Sequence, residues 1–107
     1  MSFKIITIAK FERELKRLTK KYPSLKAEYI ELLQNLKKEP ALGTPIGHQC
    51  YKIRLAIASK GKGKSGGARV ITYIQILQTT IYLLTIYDKS EQGNIPDSDI
   101  LQLLKTI

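Results

Sequence analysis

YKIRLAIASKGKGKSGGARVITYIQILQTTIYLLTIY, residues 51–87, decides how this chain folds. From Tyr51 the side chains alternate. Tyr51, Ile53, Leu55 and Ile57 share one face of an extended strand, and Lys52, Arg54, Ala56 and Ala58 share the other. A Gly-Lys run then interrupts. A second strand is expected from about Ala68 to Leu77 and a third from about Ile81 to Tyr87, joined tightly through Gln78-Thr-Thr80. Strands that follow one another through short links pair antiparallel. The stretch therefore reads as a three-stranded meander.

The same region carries an unusual charge. From Pro40 to Tyr87 there is no Asp or Glu, while Lys52, Arg54, Lys60, Lys62, Lys64 and Arg69 all lie inside it. The nine acids sit at 12, 14, 28, 31, 39, 88, 91, 97 and 99. Half of the sequence thus lacks its own counter-charge, which a phosphate-rich partner supplies. Glycines at 61, 63, 66 and 67 allow backbone to approach such a partner closely.

Outward from the meander, residues 3–8 read as a short β-branched strand through Phe3, Ile5, Ile6 and Ile8. Lys10 to Tyr22 reads as a helix with Phe11, Leu15, Leu18 and Tyr22 on one side. A second helix is expected to start near Pro23, with Leu25, Tyr29, Leu32, Leu33 and Leu36 as its apolar stripe, and to stop at Pro40 and Gly43. The short link makes the two a helical hairpin. Residues 42–49 read as loop and 88–96 as a polar loop. Pro96-Asp-Ser-Asp99 opens a last helix, its acids placed well for the helix dipole. Ile100, Leu103, Leu104 and Ile107 are its apolar stripe. The order β-αα-βββ-α predicts a single α+β domain over residues 1–107. The hairpin covers one face of the sheet. The other face carries Lys52, Arg54 and Arg69, with the Gly-Lys loop over its rim.

Composition narrows the function. A length of 107 residues with 43% hydrophobic content suits one modest core, and the net charge of +9 points to nucleic acid. No apolar run is long enough for a bilayer, and no basic helix carries bulky aromatics for a membrane surface. The apolar stretch at the N-terminus is too brief for a signal peptide. A single cysteine, Cys50, suits the cytoplasm. Cys50 and the only histidine, His48, do not make a zinc site. Gly63-Lys64-Ser65 resembles the end of a phosphate loop, but Ala58 stands where that motif needs glycine and a strand follows where it needs a helix. The lysines of the Gly-Lys run, Lys60, Lys62 and Lys64, are candidate RNA contacts, with Tyr73 as a candidate stacking ring. Tyr87 and Lys89, at the end of the third strand, are placed to contact a base and a phosphate.

With the element order, three segments resemble the RelE/ParE toxin superfamily, and within it the HigB-like branch: Tyr51-Lys-Ile-Arg-Leu55, Lys60-Gly-Lys-Gly-Lys-Ser-Gly-Gly-Ala-Arg-Val-Ile-Thr-Tyr73 and Tyr82-Leu-Leu-Thr-Ile-Tyr-Asp-Lys-Ser-Glu91. The resemblance implies the toxin of a type II toxin–antitoxin pair. It implies an endoribonuclease that cuts mRNA on the ribosome without metal or cofactor and is silenced by a cognate antitoxin protein. By position it marks Lys52, Arg54, Arg69, Tyr87 and Lys89 as catalytic. The chain departs from RelE where Ser90 replaces a second basic residue and where the last helix has no tyrosine. Two alternatives stand beside the nuclease: a ParE-like poison of DNA gyrase, and a basic nucleic-acid-binding module without catalysis. In the nuclease, a ribose 2′-hydroxyl attacks the adjacent phosphate. Arg69 and its neighbours stabilise the charge that develops, one well-placed donor being worth about 3 kcal/mol. Lys52 or Lys89 moves the proton, since a lysine among other cations gives its proton up more readily.

Overall fold

The computed structural model describes residues 2–61 and 63–107; of the candidate RNA contacts, Lys62 lies outside them. The chain runs β1 (Lys4–Thr7), α1 (Ala9–Lys21), α2 (Leu25–Lys38), β2 (Thr44–Gly47), β3 (Cys50–Leu55), β4 (Ala68–Gln75), β5 (Thr80–Asp88) and α3 (Asp97–Leu104). Short 3₁₀ turns follow β3 at Ala58–Lys60 and β4 at Ile76–Gln78. The five strands form one sheet in the order β1-β5-β4-β3-β2. The β2–β3–β4–β5 part is antiparallel, and β1 adds to β5 in parallel.

The meander and the hairpin form as the sequence pattern requires. Phe11 and Leu18 of α1 and Leu25, Leu32 and Leu36 of α2 pack on Ile53, Val70, Ile81 and Leu83. Each such side chain contributes about 1.5–3 kcal/mol by leaving water. The third helix goes to the other face. There Ile100 and Leu103 pack with Cys50, Ile71 and Leu84, so this face is only partly open.

Residues 42–49, expected as loop, contain strand β2. Its link to β3 is the two-residue turn His48-Gln49, with φ 55° and 61°. Positive φ at both central residues is what the tightest hairpins need, and Asn-Gly or Asp-Gly normally signals it. This chain does it without either. Pro45 also lies in the strand, which an edge position tolerates. The strands expected at 51–58 and 68–77 end earlier, at Leu55 and Gln75, where each passes into a 3₁₀ turn.

One irregularity sets the rest. Arg69 lies opposite Tyr87 and Tyr73 opposite Tyr82, so five residues of β4 face six of β5. The register shifts between Ile71 and Thr72, leaving an extra residue in β5 near Leu84, a β-bulge. Strict alternation would point Tyr87 toward the helices with Ile81 and Leu83. The bulge turns Tyr87 to the α3 face and turns Asp88 toward the helical hairpin. Glu14 of α1 stabilises it: one carboxylate oxygen accepts the Thr85 hydroxyl at 2.6 Å and the Ile86 backbone N–H at 3.2 Å.

Candidate active site

The register places three of the candidate residues in one row across the sheet. Arg54 of β3 lies opposite Arg69 of β4, and Arg69 lies opposite Tyr87 of β5. Lys52 stands two residues along β3 on the same face. Lys89 follows one step beyond the row, where its backbone N–H donates to the Gly67 carbonyl at 3.0 Å. Strands β3, β4 and β5 thus carry four of the five residues that the resemblance marks as catalytic, and Lys89 lies just past the end of β5. Lys52, Arg54 and Lys64 also line a groove of about 650 Å³ along the outer edge of β3, with Glu28 and Glu31 of α2 on its far wall.

The five are not equally accessible. Arg54 is exposed and free of hydrogen-bond partners among the described residues, and Lys52 reaches the Asn94 side-chain oxygen at 3.4 Å. Arg69 is only 5% exposed. Its guanidinium donates to the carbonyls of Lys64 at 2.8 Å, Ala68 at 3.1 Å and Ser65 at 3.3 Å. It therefore holds the Gly-Lys loop down and presents the Lys64 side chain at the rim. Gly67 is required beneath that loop, since a Cβ there would lie 2.2 Å from the Leu55 carbonyl oxygen. Lys89 donates its ammonium to the Gly93 carbonyl, which folds residues 89–93 back on themselves.

Tyr87 is buried, and its hydroxyl has no hydrogen-bond partner among the described residues. Burial pushes its phenol up, and Arg69 pulls it part of the way back. At neutral pH it keeps its proton and can donate, but it cannot act as a base. An unpaired buried hydroxyl costs about 1–3 kcal/mol, which a substrate oxygen within reach would recover.

Two candidates lie elsewhere. Lys60 points to the helical side, where its ammonium, 8% exposed, pairs with the fully buried Asp88 and donates to the Ser90 hydroxyl at 2.7 Å. The acid-free half therefore does find one counter-charge, from the first residue beyond it. Tyr73 stacks on Tyr82 with ring centroids 5.9 Å apart. It sits four residues along β4 from Arg69, roughly 13 Å away, beside His48 and the end of α3. Cys50 is buried, its thiol pushed up to about 11 by burial and by Asp97, and so is unreactive. Among the described residues no three His, Cys, Asp or Glu side chains group as metal ligands.

Sequence reasoning missed Glu14 and Asp88, because a bulge and a buried pair are not visible in alternation. The available signal for Glu14 was weak: it is one of two acids, with Glu12, on a mainly basic helix. Glu14→Ala is expected to destabilise the fold by about 1–3 kcal/mol, by leaving the Thr85 and Ile86 donors unpaired. It is also expected to lower activity by loosening Tyr87. Denaturant melts alongside activity measure both; unchanged activity at full folding would contradict the role given to the bulge.

A family model described as the RelE toxin of the RelE/RelB toxin–antitoxin system matches residues 3–107. Solved structures share the fold. A double mutant of E. coli toxin RelE in the free state aligns at TM-score 0.63 and 14% identity, over 87% of this chain and 90% of that one. The RelBE2 toxin–antitoxin complex from Mycobacterium tuberculosis aligns at TM-score 0.61 and 18% identity, over 82% and 99%. A metal-bound toxin from Helicobacter pylori aligns at TM-score 0.53 and 22% identity, over 84% and 98%.

Proposed function

This chain belongs to the RelE toxin family, and from that premise we propose that it is a ribosome-dependent mRNA endoribonuclease, held in check in the cytoplasm by a cognate antitoxin protein. The observation that carries the reading is the cross-strand row Arg54–Arg69–Tyr87, with Lys52 and Lys89 at its flanks. It sets the exposed Arg54 where an RNA strand can meet it, with Arg69 and the unsatisfied Tyr87 hydroxyl buried alongside. Toxin–antitoxin complexes among the structural relatives support the partner.

The chemistry follows from those groups. The 2′-hydroxyl oxygen bonds to the adjacent phosphorus and loses its proton, and the bond from phosphorus to the 5′-oxygen breaks. A 2′,3′-cyclic phosphate remains, and the leaving 5′-oxygen takes up a proton. Lys52 and Lys89 are the groups that move these protons. Arg54 neutralises charge on the phosphoryl oxygens, and Tyr87 donates a hydrogen bond to one of them once RNA binding uncovers its buried hydroxyl. Arg69 adds its charge from beneath. To touch the phosphate directly it must exchange the Lys64 and Ser65 carbonyls for phosphoryl oxygens, so RNA binding shifts the Gly-Lys loop. Lys64 meets the RNA backbone at the rim.

The test uses purified protein and an mRNA placed on ribosomes. Cleavage within the translated frame is expected, and a single 2′-deoxy substitution at the cut nucleotide abolishes it. Undiminished cutting of the deoxy substrate would overturn the 2′-hydroxyl mechanism. Equal cutting of free RNA would overturn the dependence on the ribosome. No cutting of either substrate by folded protein would overturn the nuclease and leave the gyrase or binding-only alternatives.

A further inference from the structure

The groove along the outer edge of β3 carries charge of both signs, and the proposed chemistry uses only one wall of it. β2 pairs with β3 no further than Thr44–Lys52, so past that point the edge of β3 stands open. α2 borders the gap. Its core stripe, Leu25, Leu32 and Leu36, is buried, and Glu28, Glu31 and Asn35 flank that stripe on the β3 side, at i, i+3 and i+7. Lys52, Arg54 and Lys64 line the opposite wall, and Leu32, Leu42 and Ile53 give the groove apolar surface between them. Glu28 is already committed. It accepts the Ala58 backbone N–H at 2.7 Å and the Ser24 hydroxyl at 3.2 Å, and so fastens α2 to the turn after β3. Glu31 and Asn35 are exposed, one helical turn apart, and neither side chain has a hydrogen-bond or ion-pair partner among the described residues. Three cations line the same groove, yet none bridges to Glu31. A carboxylate beside a phosphate-binding row repels phosphate. This wall therefore suits a part of the RNA that carries no charge and donates hydrogen bonds, which is the edge of a base.

We infer, on the reading of the sheet row as the RNA site, that this groove is a pocket for one base beside the cut, that it selects guanine, and that Glu31 and Asn35 do the selecting. The N1–H and N2–H donors of guanine lie side by side and match the two oxygens of one carboxylate, while its O6 accepts from the Asn35 amide. Every other base turns at least one acceptor toward the carboxylate, where the two repel. Single-stranded RNA is read on these edges once its bases are splayed apart. The apolar surface of Leu32, Leu42 and Ile53 covers the flat of the ring. The phosphate of the same nucleotide stays at the opposite wall, with Arg54 and Lys64. The two walls then divide one nucleotide between them, charge to the cations and base to the acid.

The test reads binding on RNA that cannot be cut. The probes are 2′-O-methyl uridine heptamers carrying one central guanosine, inosine or adenosine, followed by fluorescence anisotropy in about 100 mM salt. The protein is expected to bind the guanosine probe about tenfold or more tighter than the inosine probe, which lacks only the N2 amino group. Glu31→Gln should erase most of that preference. Glu31 is exposed and unpaired among the described residues, so this variant should melt as the parent does. Glu39→Gln, which removes an exposed acid just past the end of α2 and outside the groove, should keep the preference. Lys52→Ala/Arg54→Ala should weaken the binding of all three probes and keep it too. Equal binding of the probes by the parent, or a preference that survives in Glu31→Gln, would overturn the base pocket and leave the nuclease standing. Binding of no probe would overturn the pocket and the RNA site together. A Glu31→Gln variant that gains affinity for poly-glutamate and is unchanged toward the RNA probes would assign the groove to a protein partner instead.

Discussion

Lys52→Ala/Arg54→Ala is expected to slow cleavage of ribosome-bound mRNA on the order of a thousandfold or more. Both residues lie on β3, on the face opposite the helical hairpin, and neither belongs to the core. Arg54 is exposed, and Lys52 makes only a long contact of 3.4 Å to Asn94. The fold should therefore survive, with a melting curve close to that of the parent. The kinetic parameter that changes is informative. If the pair acts on the charge that develops at phosphorus, kcat falls. If it only tethers phosphate, KM rises, kcat holds and added salt reproduces much of the loss. The account requires the first pattern. A folded double variant with undiminished kcat would remove both residues from the chemistry.

Asp88→Ala is expected to destabilise the protein by about 3–5 kcal/mol, because it strands the Lys60 ammonium in a buried site. Asp88 is fully buried and accepts from Lys60, from the Tyr22 hydroxyl at 2.6 Å and from the Ser90 backbone N–H and hydroxyl at 3.0 and 2.8 Å. It ties the end of α1, the turn after β3 and the end of β5 at one point. A domain of this size has about 5–15 kcal/mol in all. The expected fall in melting temperature is on the order of 15 °C. Replacing both charges, as Lys60→Met/Asp88→Leu, should recover most of it, since the pair itself is worth far less than a broken half. Failure of the double variant to recover would mean that the hydrogen bonds from Tyr22 and Ser90 carry the stability.

The same group fixes a pH dependence. Burial alone would raise the Asp88 carboxyl, but hydrogen bonds from Lys60, Tyr22 and Ser90 outweigh it and hold it well below the usual carboxylate range. A carboxyl held low in the folded state stabilises the fold above its unfolded value, about 3.9. That contribution fades as acid protonates it, from about pH 5 downward. Chemical denaturation across this range should show a fall in stability that Asp88→Asn lacks.

The elements of this fold were legible where side-chain period changes are clean. Alternation from Tyr51 onward locates β3 and assigns Lys52 and Arg54 to one face. Helical spacing in 10–36 locates the hairpin. The strand β2 was hidden, because His48-Gln49 makes a tight turn without the residues that usually mark one. The placement of α3 was hidden too, since its apolar stripe fits either face of the sheet. The site depends on one extra residue in β5. Alternation alone sends Tyr87 to the helices and Asp88 to the site, and the bulge reverses both. Bulges follow from cross-strand register and from a distant acid, Glu14, and neither can be read from local pattern. Lys60 parts from the rest of the Gly-Lys run for the same reason. The Gly-Lys run looks uniform in sequence, yet its first lysine falls within reach of the buried Asp88.

Induced expression in bacteria with genome-wide mapping of mRNA 5′ ends, beside Lys52→Ala/Arg54→Ala at equal protein level, tests the central claim most directly. The account predicts growth arrest and new ends clustered in phase with translated codons, both lost in the variant. Arrest without such ends, or in-frame ends that persist in the variant, would contradict it.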